Sequence, residues 1–215
     1  MRWAVFDVDG TILPGTSMER ILIRELIGKG LIPIRSFFVF SCIALKSVCR
    51  RGGIREFLRN KAYFQGLPEK PMVRFSRRLV DKKIVPRIPD AVHREMDRLR
   101  KNGYRILLMS GAPEFLLGPL AERLDADAAM GTVYEVEAGR FAGGPCGDHL
   151  FGSAKTRILN RCRKELDMDF TRSAVYANDS SDAEHMRMFG TAVAVNPRKG
   201  LMRTAEEEGW KVVWW

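Results

Sequence analysis

The sequence predicts an α/β protein: a Rossmann-like doubly wound parallel sheet core with an all-helical cap inserted after the first strand. Three observations carry the prediction. Continuous apolar runs recur at 2–8, 104–109, 173–177, 191–195 and 211–215, the pattern of strands buried on both faces. Helix-period patterns separate the later runs, over 90–102, 113–124, 153–166, 182–189 and 199–208. Residues 14–86 break this alternation and read as helices on either side of an apolar stretch.

Taken in order, the first strand holds Trp3-Ala4-Val5-Phe6 and stops at Asp7-Val8-Asp9-Gly10-Thr11. The inserted segment reads as helix over 17–29, an apolar stretch over 31–49, a basic turn Arg50-Arg51-Gly52-Gly53, and helix over 54–64 and 69–82. Gly103 closes the helix that begins near residue 90, and the strand Tyr104-Arg-Ile-Leu-Leu-Met109 ends in Ser110-Gly111. Pro113 then opens a helix. Residues 132–144 form a hairpin turning at Ala138-Gly139. The strand 173–177 ends in Asn178-Asp179, Asp182 opens the next helix, and Gly209 stops the helix 199–208. The division is therefore a core of 1–13 and 87–215 and a cap of 14–86. In an open parallel sheet the ligand lies beyond the carboxyl ends of the strands. Here polar residues follow three of those ends.

The bulk composition fits this. The chain has 215 residues, 46% of them apolar and 29% charged, the balance of a globular protein and neither of a disordered chain nor of a membrane-spanning one. The formal net charge of +10 attracts anions, which leaves phosphorylated metabolites, nucleic acid and acidic membranes as partners. The basic residues between 74 and 87 have few aromatics among them, so nucleic acid is the least supported. Cys42, Cys49, Cys146 and Cys162 make no C-x-x-C pair, which argues against a zinc or thioredoxin-type site and suits a reducing compartment. With the N-terminus running straight into a strand, the expected location is cytoplasmic.

The polar strand ends suit one chemistry. Asp7 can attack phosphorus and form an aspartyl-phosphate, and Asp9, two residues on, can protonate the leaving oxygen and then deprotonate water. Gly10 lets the backbone turn closely around phosphate, and Thr11 caps that turn or donates to it. Ser110 and the Gly111 N–H add donors for phosphoryl oxygens, and Lys155 adds a point charge. Paired carboxylates facing a phosphate dianion call for a hard cation with oxygen ligands, namely Mg2+. The paired acids Asp7 and Asp9 and, as the remaining shell, the group Asn178-Asp179-Ser180-Ser181-Asp182 supply them.

Asp7-Val-Asp9-Gly10-Thr11, Ser110, Lys155 and Asn178-Asp179-x-x-Asp182 resemble the four ordered motifs of the haloacid dehalogenase (HAD) superfamily. The helical cap, and the Arg140-Phe141 hairpin leading to Phe151-Gly152-Ser153-Ala154-Lys155, are similar to the subclass that contains the phosphoserine phosphatases. The resemblance covers nearly the whole chain. It implies a Rossmann-like core, magnesium and Asp7 as nucleophile, and the presence of Asp9 argues for phosphate rather than halide chemistry. Two departures follow. Relatives carry Asp four residues before the last acidic position, where this chain has Asn178, so either Asn178 or Asp179 completes the metal shell. The glutamate that phosphoserine phosphatases place about nine residues past the nucleophile is Thr16 here, with Glu19 the nearest acid, so phosphoserine is not the favoured substrate.

The expected function is thus a magnesium-dependent phosphomonoesterase acting on a small phosphorylated substrate. A phosphotransferase or mutase would use the same motifs. The apolar run Phe37 to Leu45, flanked by Arg35, Lys46, Arg50 and Arg51, adds a further option. It reads as a buried cap helix or dimer contact, with an interfacial helix over 31–51 meeting acidic lipid as the alternative; that would make the chain a lipid-phosphate phosphatase or an interaction module. His93, His149 and His185 read as surface or packing residues, with His185 set apart because it follows the last acidic motif by one helical turn.

Overall fold

The computed structural model describes residues 1–32, 64–147 and 149–215. The apolar stretch beyond residue 32, the basic turn 50–53 and the helix expected over 54–64, up to residue 63, lie outside the described residues, as does the membrane-contact reading that rests on them. Among the described residues no helix is long and apolar enough to cross a membrane.

Six parallel strands form one sheet: β1 (Arg2–Phe6), β2 (Tyr104–Pro113), β3 (Ala128–Thr132), β6 (Ala174–Ala177), β7 (Thr191–Val195) and β8 (Lys211–Val213). Two more, β4 (Tyr134–Glu137) and β5 (Arg140–Pro145), pair as an antiparallel hairpin. The order β3-β2-β1-β6-β7-β8 means that the chain winds outward from β1 to β3 and then returns to the other side of β1. The reversal between β1 and β6 is the topological switch at which such sheets open a crevice.

Strand alternation sorts the side chains into two cores. Ala4, Phe6, Ile106, Leu108, Tyr176, Val193 and Val195 face one side, with helices α1 (Met18–Gly28), α2 (Glu69–Leu79), α3 (Asp90–Lys101) and α4 (Glu114–Arg123). Trp3, Val5, Leu107, Met109, Val175, Ala177 and Ala194 face the other, with α5 (Ser153–Cys162), α6 (Ala183–Met186) and α7 (Lys199–Glu208). Both faces are covered, which is why the strands read as unbroken apolar runs. The helices end as their sequences dictate. The Ser17 side chain accepts from the Arg20 N–H at the start of α1, and Gly209 takes the left-handed conformation that closes α7.

The described part of the inserted segment joins the first core. Met18, Ile21, Leu22 and Leu26 of α1 and Met72 and Leu79 of α2 are buried there, beside Phe64. Phe64 packs edge-on against Phe115, Tyr134 and Phe141, and Phe141 exchanges backbone hydrogen bonds with Gly66 and Leu67. The hairpin thereby ties the return of the insertion to the sheet. Its turn has Ala138 and Gly139 both at positive φ, as a two-residue hairpin turn requires.

Several boundaries depart from the sequence reading. β2, expected to end at Met109, continues to Pro113, so Ser110 lies within the strand. Residues 128–132 add a sheet strand that the reading lacked, and Thr132 belongs to it and not to the hairpin. The helix expected over 69–82 is α-helical to Leu79 and then widens into a π-turn over Val80–Ile84. The helices expected over 153–166 and 182–189 shorten to Ser153–Cys162 and Ala183–Met186.

Candidate active site

Strand register brings distant residues together. Phe6 pairs with Leu108 on one side and Tyr176 on the other, and the Asp7 N–H donates to the Tyr176 carbonyl at 2.9 Å. Asp7 and Asn178 therefore follow the neighbouring strands β1 and β6 within one residue of the same level, with Ser110, still inside β2, beside them. Above them opens a cavity of about 500 Å³ lined by Asp7, Asp9, Gly10, Gly111, Lys155, Asn178, Asp179 and Asp182. Every sequence-predicted site residue except Thr11 and Ser110 lines it.

Gly10 makes the turn after β1 possible. Its φ is +91°, and a Cβ there would stand 2.0 Å from Asn178 Nδ2. Only a residue without a side chain lets this turn approach Asn178 so closely. Thr11, fully buried, donates its hydroxyl to Asp7 Oδ2 at 2.9 Å, so it orients the carboxylate and does not face the cavity.

Lys155, near the start of α5 and 3% exposed, puts its Nζ 2.7 Å from Asp7 Oδ1 and 2.9 Å from Asp182 Oδ1. Burial alone would lower the lysine pKa, but the carboxylates of Asp182 and Asp7 outweigh it and hold the ammonium firmly charged. For Asp7, burial pushes the pKa up, Lys155 opposes the rise, and the nearby Asp182 adds to it. Three buried charges thus share one floor, with one lysine between two acids.

Asp9 points the other way. Its Oδ1 accepts from the Met18 N–H at 2.8 Å, at the start of α1, and its Oδ2 from the Ser110 hydroxyl at 3.3 Å. Burial first, and then repulsion from Asp7, raises its pKa to about 7. Ser110 is fully buried and also accepts from the Ala112 N–H at 3.0 Å; it supports Asp9 from behind. The Gly111 carbonyl accepts from the Thr132 hydroxyl at 3.0 Å, which ties β2 to β3 beside the cavity.

Asp179 and Asn178 differ sharply. One oxygen of Asp179 caps the following 3-10 turn through the Ser181 N–H at 3.0 Å, and the other accepts from Arg198 Nη1 at 2.7 Å. Although burial works the other way, these bonds hold its carboxyl below the ordinary value. Asn178 is buried against the Gly10 turn. Asp182 lies one turn later, 3% exposed, on Lys155.

Glu19, which the sequence marked only as the nearest acid past Thr16, lines the cavity, as do residues the sequence did not assign to the site: Arg20 at the start of α1, His149 and Phe151 before α5, and Asn196 and Arg198 after β7. His149, expected to be a packing or surface residue, faces the cavity, and its Nδ1 lies 3.1 Å from the Thr132 hydroxyl. Asn196 and Arg198 follow the carboxyl end of a fourth parallel strand, and that position was their signal.

The oxygens around the floor can be tested for a metal. Among the described residues no three His, Cys, Asp or Glu side chains form a ready cation cluster. Two carboxylates, Asp7 and Asp182, with the Asn178 amide beside them, nevertheless form a hard-oxygen set, and magnesium is bound through one or two carboxylates with water and substrate completing its shell. The donors fit that ion.

Comparisons with known proteins identify the family. Residues 4–187 match the family described as HAD, haloacid dehalogenase-like hydrolase. The phosphoserine phosphatase SerB1 of Mycobacterium tuberculosis is 26% identical over 97% of this chain and 69% of its own length. A histidinol-phosphatase of Neisseria meningitidis is 23% identical over 98% of this chain and 97% of its own. A crystal structure of phosphoserine phosphatase in apo form superposes with a TM-score of 0.64 at 18% identity, over 98% of this chain and 92% of that one, a likeness of fold. The chain belongs to the haloacid dehalogenase-like hydrolases, as an enzyme of their phosphatase type with the phosphoserine-phosphatase form of the fold.

Proposed function

We propose that the chain is a magnesium-dependent phosphomonoesterase that works through an aspartyl-phosphate on Asp7. The supporting observation is the floor of the cavity: a charged, buried lysine bonded to Asp7 and Asp182, with a second acid, Asp9, turned aside and titrating near neutrality. In the first half-reaction an Asp7 oxygen forms a bond to phosphorus, the bond from phosphorus to the ester oxygen breaks, and Asp9 gives that oxygen its proton. In the second, Asp9 takes a proton from water as water's oxygen attacks phosphorus, and the bond to Asp7 breaks. A raised pKa suits both roles, because Asp9 must hold a proton at one stage and accept one at the next.

Lys155 and the Gly111 N–H would meet phosphoryl oxygens, a reading supported by both residues lining the cavity. Asp7, the Asp9 carbonyl, Asn178 and Asp182 would hold magnesium; Asn178 is favoured over Asp179 because Ser181 and Arg198 already engage the Asp179 carboxylate. Magnesium would supply positive charge that offsets the repulsion between the carboxylates and the phosphate dianion. Residues 14–86 would act as the cap over the core of 1–13 and 87–215, closing on the substrate and excluding water. Glu19 and Arg20 place both signs of charge on the wall where a leaving group would sit. That wall suits a small phosphorylated substrate with polar groups of its own, and the relatives named for phosphoserine and for histidinol phosphate bracket the size.

The test is magnesium-dependent release of phosphate from an aryl phosphate by the purified protein, with Asp7→Asn alongside. We expect the variant to be inactive; undiminished turnover would reject the mechanism.

A further inference from the structure

Among the buried polar side chains, His185 stands apart. It is 2% exposed, lies in α6 and packs beside Met186, a member of the second core. Among the described residues its Nδ1 has no hydrogen-bond partner, and Asp182 Oδ1 lies 3.9 Å away. The two are three residues apart on one helical face. A buried nitrogen without a partner costs free energy that a leucine at the same place would not. Something other than packing keeps an imidazole there.

The bonds on the cavity floor indicate what. Both oxygens of Asp7 are engaged, Oδ1 by Lys155 and Oδ2 by Thr11. A phosphoryl group arriving beside Asp7 would draw Lys155 toward its own oxygens, and a divalent cation between the carboxylates would repel the lysine the same way. That motion stretches the bond from Lys155 to Asp182, leaving the second carboxylate without its donor. His185 Nδ1 lies about 1 Å beyond an ordinary N–H···O separation of about 2.9 Å, close enough to close up with a small side-chain shift.

We propose that His185 is a positioning residue for Asp182: its Nδ1–H takes over as hydrogen-bond donor to Asp182 Oδ1 when Lys155 withdraws, and so keeps that carboxylate aimed at magnesium. The inference rests on the reading of Asp182 as a ligand. A neutral imidazole suffices for this role, because an Nδ1–H donates without adding positive charge to compete with the cation. Donors behind metal-bound groups typically change metal affinity about 10–100-fold when removed.

Two substitutions test it. His185→Leu fills the space and removes the donor, whereas His185→Asn keeps an N–H near the position of Nδ1. Magnesium binding by calorimetry and melting temperature in chelator are measured for wild type and both variants. We expect the leucine variant to melt at or above the wild-type temperature yet bind magnesium at least tenfold more weakly, and the asparagine variant to bind within about threefold of wild type. A leucine variant that binds within twofold of wild type, or an asparagine variant as impaired as the leucine one, would overturn the proposal. A wild-type protein that bound no magnesium would reject the ligand reading itself, and this inference with it.

Discussion

Replacing Lys155 by methionine removes the side chain that, among the described residues, bonds both Asp7 and Asp182. The lysine, Asp7 and Asp182 are 3%, 8% and 3% exposed, so water screens this group of charges very little. The contacts at 2.7 and 2.9 Å are lost together, and two carboxylates are left facing one another in the core. Breaking a buried ion pair from one side costs about 3–5 kcal/mol, because the remaining charge is stranded. For a chain of this length each kcal/mol moves the melting temperature by roughly 2–4 °C, so Lys155→Met should melt about 6–20 °C below wild type in chelator at pH 8. Two controls follow from the same physics. Asp7 already has a raised pKa and loses Lys155 as the group opposing the rise, so it takes up a proton more readily in the variant, and the deficit should shrink at pH 5. A cation that binds the native state at 100 times its dissociation constant adds about 2.7 kcal/mol, so magnesium should recover much of the loss. Thermal melts followed by circular dichroism, with and without magnesium at both pH values, provide the readout. A variant that melts within 2 °C of wild type in chelator at pH 8 would refute the view that Lys155 balances the two acids.

Two more outcomes are expected. Gly10→Ala forces a methyl group toward Asn178 Nδ2, 2.0 Å from the built Cβ, at a φ of +91°, and should cost about 1–3 kcal/mol of stability, read by urea unfolding, together with most of the turnover. Asp9→Asn tests the raised pKa: folding takes up a proton at Asp9 between the unfolded value of 3.8 and about 7, so wild type loses stability as pH rises through that window. Urea unfolding in chelator should therefore show Asp9→Asn matching wild type near pH 4 and gaining up to about 4 kcal/mol on it by pH 8, the worth of a gap of about three pH units. A difference independent of pH would refute the assignment. The Asn amide can still accept from Met18 and meet Ser110, so the substitution spares the local bonds.

What could be read from the sequence was set by where physics leaves a local trace. Strands buried on both faces must be apolar throughout, so β1, β2, β6 and β7 showed themselves, and the polar residues that stop them marked the floor of the cavity. β3 left no such trace. It is an edge strand, Ala128-Ala-Met-Gly-Thr132, with only its last two residues buried, and its Gly131 is fixed by the close approach of the Glu114 backbone, 2.7 Å from where a Cβ would be. No periodicity reports that contact. The choice between Asn178 and Asp179 was open for a related reason. Spacing alone left both as candidates, and the difference comes from Arg198, 19 residues away on the next strand's loop, which engages Asp179. Thr11 and Ser110, expected at the phosphate from the motifs, lie outside the cavity lining and bond to Asp7 and Asp9. A motif fixes which residues are present near phosphate, but burial decides which of them reach it.

The same burial explains why a costly arrangement sits in the middle of the sheet and not at its rim. Asp7 and Asn178 follow the two central strands, whose registers with their neighbours are fixed by paired backbone bonds on both sides. Asp7 held there, and Asp182 buried in the turn that follows Asn178, have little room to swing apart and relieve their repulsion, as they would on a surface loop. The repulsion is therefore retained in the folded state and is available to any positive charge that arrives. Lys155 already uses part of it, through two bonds to two acids. A group that draws Lys155 off those acids must replace the stabilisation it removes, and a divalent cation with a phosphate dianion does so together more fully than either alone. Binding of the two should then be mutually reinforcing, and by reciprocity each should tighten the other by the same factor.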